Sequence, residues 1–179
     1  MTDRNTEVTL DQVHEGIVST LAAQFPDANV EAYRMDRTTI PAPSILVELD
    51  EFEDAELDPG TGQLAVTAMF KALVVMPFRA PAGMNPKLEV RKLAAAVAAF
   101  ARLQRWGCKI GPAMVTGAHP DDFHPELDQY EVWAVEWRQV IHLGETVWKG
   151  GTPPPTEVNV GEAPLIGAPY ADEYKQVTR

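Results

Sequence analysis

The segment Tyr130 to Trp148, YEVWAVEWRQVIHLGETVW, constrains the fold more than any other stretch of the chain. Trp133, Val135, Trp137, Ile141 and Leu143 share one parity, and in an extended backbone every second side chain lies on the same face. The segment therefore predicts a long strand with one heavily apolar side, which has to become a core wall. The other parity, Tyr130, Val132, Ala134, Glu136, Arg138, Val140 and His142, is mixed and suits water, a partner surface or a second subunit. Such a strand needs neighbours to pair with and something apolar to lie against its aromatic side.

The remaining segments supply both. Leu10 to Phe25 carries Val13, Ile17 and Leu21 at helical steps, with Val18 and Phe25 beside them; Thr9 or Asp11 is available as N-cap and Pro26 ends the helix. A short extended piece follows around Val30 to Met35, and Ile40-Pro41-Ala42-Pro43 holds a non-helical backbone. Ser44 to Phe52 and Leu64 to Phe78 read as an antiparallel hairpin closed around Asp58-Pro59-Gly60-Thr61-Gly62, where proline presets φ and glycine permits positive φ. Asn85-Pro86 opens a second helix, Pro86 to Trp106, with Leu93, Val97 and Phe100 on its stripe, joined by Val90 and Leu103, and with Gly107 as its terminator. Ile110 to Ala118 predicts a strand interrupted at Gly111-Pro112, and His119 to Gln129 a loop returning into the long strand.

This order predicts an α+β fold: an antiparallel or mixed β-sheet of about four to five strands with two helices packed on one face. That domain spans residues 1–149. From Gly150 the chain turns rich in proline and glycine, and residues 150–179 read as an extended C-terminal arm. Its scattered apolar residues lack a period, so the arm is expected to be disordered or laid along a neighbour.

Charge narrows the function classes. Twenty-six acids against fifteen lysines and arginines give a formal net charge of -11, which disfavours a surface that grips nucleic acid through clustered cations. No run approaches the roughly 20 apolar residues of a membrane span, and the polar start lacks a signal peptide's regions, so the cytosol is the expected compartment of synthesis. The single cysteine, Cys108, has no disulfide partner and no ligand spacing around it. The chain shows no GxSxG elbow, P-loop or GxGxxG, and its two serines, Ser19 and Ser44, lie in a predicted helix and at a strand start.

Three constellations remain. His119, Asp121, Asp122, His124 and Glu126 crowd one loop and could serve a divalent metal in a metal-dependent hydrolase, although their spacing matches no metal motif. Glu48, Asp50, Glu51, Glu53, Asp54, Glu56 and Asp58 form an acidic run into the first hairpin turn; it lacks the pattern of an EF-hand loop. Arg91, Lys92, Arg102 and Arg105, with Lys87, concentrate positive charge on the second helix, either as a solvated face or as a contact for an acidic neighbour. Trp133 and Trp137 are expected in the core. No catalytic residue, metal or cofactor is assigned.

The order of elements and the WAVEWRQVIHLGETVW segment resemble the tail terminator, or tail completion, proteins of long-tailed bacteriophages. The matching segments are Leu10 to Phe25, Ser44 to Phe78, Pro86 to Trp106 and Met114 to Leu143. The resemblance implies a structural virion protein of the tail and neck, not an enzyme, assembled in the host cytoplasm. It would form a homo-hexamer on the last ring of the tail tube protein, stop polymerisation, and offer its other face to a head-completion or neck protein. DNA would pass through the lumen without specific binding, and the acidic run would line that lumen or face the tube. The arm, longer than such a protein requires, would reach a neighbouring subunit, a sheath protein or a neck protein. Another neck or head-tail joining protein of the same particle would share size, acidity and ring symmetry. Subunits in a closed ring meet through unlike patches, and the basic helix against an acidic loop would serve.

Overall fold

The computed structural model describes residues 7–34, 40–78, 83, 85–121, 124, 127, 129–147 and 158–177. It divides into two units, Met1–Trp148 and Lys149–Arg179.

In the first unit the aromatic segment forms β5 (Tyr130–Leu143), paired along its whole length with β3 (Leu64–Pro77) from Leu64↔Leu143 to Pro77↔Tyr130. β3 also pairs antiparallel with β2 (Ser44–Asp54), the first hairpin. β1 (Asn29–Ala32) adds to β2 in parallel, and β4 (Met114–Pro120) closes the other edge against β5. The result is a mixed five-stranded sheet in the order β1-β2-β3-β5-β4. With its two main helices on one face, this is the expected α+β architecture.

Helix α1 (Leu10–Gln24) starts at Thr9, whose side chain accepts from the Gln12 N–H while the Gln12 side chain accepts from the Thr9 N–H. This reciprocal capping box satisfies two N–H groups that the first turn leaves open. Val13, Ile17 and Leu21 are buried, as their spacing predicts. Gly16 sits where a Cβ would come within 2.5 Å of the Trp106 carbonyl oxygen, so only glycine lets α1 pass that close.

Helix α2 (Pro86–Ala101) differs from expectation at both ends. Asn85 makes no side-chain capping bond; its carbonyl accepts from Leu88 and Glu89 N–H while Pro86 occupies the first turn. The helix stops at Ala101, not Trp106, because Leu103 turns to φ 66 and its N–H bonds to the Ala113 carbonyl. Gly107 is thus not the helix terminator but part of a later turn, following Trp106 at φ 55. The buried stripe is Val90, Ala94, Val97 and Ala101; Leu93 and Phe100 are half-buried and Leu103 is exposed. Small alanines let the helix axis sit close to the sheet, which moves the larger neighbours to the flanks.

The main core lies between the helices and the sheet. Trp137 stacks on Phe70 with ring centroids 5.7 Å apart and lies 5.6 Å from Trp106. Trp106 is turned inward, and its indole N–H donates to Gln139 Oε1 at 2.8 Å. Gln139 Nε2 in turn donates to the carbonyls of Gly111 (2.6 Å) and Gln104 (3.1 Å), pinning the segment after α2 onto β5. Trp133 is only half-buried, with the Arg91 guanidinium 5.6 Å over its ring.

The opposite face of the sheet is not uniformly open. Leu46, Leu73, Val75, Val132 and Ala134 form a second core under Ile40 and Leu127, with Tyr33 and Tyr130 packed against it. The Tyr130 hydroxyl donates to the Ile40 carbonyl and accepts from the Ile40 N–H, both at 3.1 Å. On the mixed face of β5, Val132 and Ala134 are therefore interior, Tyr130, Glu136 and His142 half-buried, and Arg138 and Val140 exposed.

The second unit contains β6 (Asn159–Val160), a 3-10 helix (Ala168–Glu173) and β7 (Lys175–Gln176), with β6 and β7 paired antiparallel. These elements leave no period in the sequence, because two-residue strands are too short to show one. No described residue of this unit is buried. Among the described residues no helix is long and apolar enough to cross a membrane.

Candidate functional site

The seven acids of the first hairpin separate into two groups. β2 and β3 slip register between Leu49 and Glu51, a bulge that leaves Asp50 outside the ladder. Before it, Glu48 is half-buried on the sheet face opposite the helices, and Lys71, its partner across the ladder, reaches Asp50 with Nζ 3.4 Å from Oδ2. Beyond it, Glu51, Glu53, Asp54, Glu56 and Asp58 are all exposed. Asp58 Oδ1 accepts from the Gly60 N–H at 2.8 Å, a local turn bond that shapes the tip. Phe52, Leu57 and Leu64 are exposed among these acids, so the tip is apolar as well as negative.

The four cations assigned to α2 do not form one free strip. Arg91 covers Trp133, and Lys92 bonds to Glu89 at 2.9 Å one turn away. Arg105 Nη1 donates to the Ile110 carbonyl at 2.6 Å. Arg102 lies past the last helical residue and is exposed.

The two histidines of the proposed metal loop go to separate partners. His119 lies within β4, not in the loop, with Nε2 3.3 Å from Glu136 and Nδ1 3.0 Å from the Pro120 carbonyl. That carbonyl bond, opposed by partial burial and assisted by Glu136 and Asp121, raises its pKa above the ordinary histidine value. His124 Nδ1 is 2.7 Å from Asp121 Oδ2, its Nε2 is 3.6 Å from Glu48, and its ring meets Tyr33 edge-on. The Asp121 side chain is 1% exposed, so the pair anchors the chain after β4 against the sheet. Among the described residues no three histidine, cysteine or carboxylate groups gather to hold a metal. Asp122 and Glu126 lie outside the described residues.

Other candidate groups are structural in placement. His14 Nε2 bonds to the Val47 carbonyl at 3.2 Å, and burial raises the pKa of Cys108, which disfavours the reactive thiolate. A groove of about 440 Å³ lined by Phe25, Met76 and Leu93 lies between the end of α1 and α2, with the mutually paired Lys92 and Glu89 on its rim. It presents no converging polar groups of the kind that fix a substrate.

Sequence reading missed Gln139, the hub between Trp106, Gly111 and Gln104; a lone glutamine at an inward parity position was the signal. It also missed the exposure of Leu103, which follows from the early end of α2, and of Met114 and Val140 on the sheet face opposite the helices. No protein-family model matches the chain, and no curated protein sequence matches it.

Proposed function

We propose that this protein is a structural subunit that closes the end of a bacteriophage tail tube as a homo-hexameric ring and offers its outer face to a head-completion or neck protein. The order of elements carries the reading: helix, long hairpin, helix, closing hairpin, all in one sheet with both helices on the same side. A projecting hairpin whose tip exposes both acids and apolar side chains supports it, since a subunit of a closed ring needs one surface that fits an unlike surface of its neighbour. In this function no covalent bond is made or broken; the ring stops growth by covering the surface to which the next tube subunit would add.

Electron microscopy of particles made without this protein tests the reading. Tails of irregular length, restored to uniform length by the supplied protein, are the expected result. Uniform tails in its absence refute termination.

A further inference from the structure

We infer that the acidic hairpin tip of one copy docks on the basic, apolar patch around Leu103 and Met114 of a second copy. This rests on the reading of the chain as a ring subunit and names the surfaces that join the ring.

The patch is assembled by backbone pairing. Leu103 N–H donates to the Ala113 carbonyl at 2.8 Å, Met114 stands opposite Arg138 in the β4–β5 ladder, and the Val140 carbonyl accepts from Gly111 N–H at 2.9 Å. Leu103 is 55% exposed, Met114 58% and Val140 40%, with Arg102 and Arg138 exposed beside them. Leu103 is also held at φ 66, a region that residues with a Cβ seldom enter. An exposed leucine kept on a strained backbone is costly for a lone subunit and points to a role in contact.

The occupant is set by complementarity. The tip displays Phe52, Leu57 and Leu64 among five exposed acids, so it needs a surface that is both apolar and positive. In a chain of net charge -11, most of a second copy repels that tip, and the patch supplies the opposite sign together with matching apolar groups. Tip and patch are different surfaces of one molecule. Each docking event therefore leaves one free tip and one free patch, the head-to-tail contact from which closed rings are built.

Sedimentation velocity of the full-length protein over a range of concentrations tests the contact. Wild type should associate with increasing concentration. A tip variant, Glu53→Lys with Asp54→Lys, and a patch variant, Met114→Thr with Arg138→Gln, which puts no like charges opposite each other in the ladder, should each associate at least roughly tenfold more weakly with unchanged thermal midpoints. Mixed together, they should form a heterodimer and nothing larger, because each retains the half that the other lacks. Leu103→Gly guards against a folding artefact: it relieves the positive φ, so the fold should hold or gain stability while association falls. A monomeric wild type, variants that associate like wild type, or a mixture without heterodimer would each overturn the contact. Wild type that associates in this way yet fails to cap tubes would leave the contact standing and remove the terminator reading; capping that survives both variants would do the reverse.

Discussion

Replacing Trp137 with alanine tests whether the stacked aromatics hold the sheet to its helices. The side chain is 1% exposed and lies between Phe70 at 5.7 Å and Trp106 at 5.6 Å. Truncating a large buried aromatic typically costs about 3–5 kcal/mol, part of it from the cavity left behind. Loss of two ring contacts, each about 0.5–1.5 kcal/mol beyond burial, favours the upper half of that range. For a unit of this size each kcal/mol moves the thermal midpoint by about 2–4 °C, so a drop of about 8–20 °C is expected. Trp137 Nε1 is buried with no hydrogen-bond partner among the described residues, a state that itself costs about 1–3 kcal/mol. Trp137→Phe removes that burdened N–H and keeps a ring, so it should cost less than half as much as alanine. Circular dichroism melts and urea titrations of both variants provide the measurement. An alanine midpoint within about a degree of wild type, or equal losses for alanine and phenylalanine, would refute the assignment of this residue as the core's centre.

Gln139→Leu leaves the buried Trp106 N–H and the part-buried Gly111 carbonyl without their side-chain partner, while the Gln104 carbonyl keeps the Ala113 N–H; an unmet buried group costs about 1–3 kcal/mol. Urea denaturation should show a loss of about 2–4 kcal/mol, and an unchanged midpoint would mean that the segment after α2 is held by packing alone. The sign of the His119 shift gives a pH dependence: a raised folded pKa means its contribution is complete below the unfolded value near 6.5 and is lost as pH rises through the folded value. NMR titration should place His119 above an unstructured histidine, and Glu136→Gln should lower it without bringing it to the unstructured value, because the Pro120 carbonyl bond remains. A His119 that titrates at or below the unstructured value would contradict this geometry.

Sequence made some elements plain and hid others for identifiable reasons. Val13, Ile17 and Leu21 fall on one helical stripe, and Val135, Trp137 and Ile141 on one strand parity, because a periodic surface facing one core imprints its period directly. The Asp58–Gly62 turn was legible from proline and glycine chemistry. The end of α2 was not, since Leu103 and Trp106 both adopt positive φ and neither is a residue type that announces it. Strand parity leaves Val132 and Ala134 open to several surroundings, because it tells which side a residue faces, not whether a distant loop covers that side. Of the candidate site residues, the acids beyond the bulge are exposed; Lys92 takes Glu89 one helical turn away, as spacing allows, while Arg91 and Arg105 take partners within the subunit that spacing alone does not reveal.

The covering of only half of the second sheet face makes the long strands behave like a beam clamped at one end. Around Leu46, Leu73 and Ala134 the strands are gripped from above and below, whereas past the Asp50 bulge, at Glu53 and Thr67, one side has no such grip. The helix side stays packed there, with Val66 and Ala68 buried, so bending at that end meets resistance from one side alone. A load on the hairpin tip is therefore passed to the sheet through its helix side, and the doubly covered root holds the register.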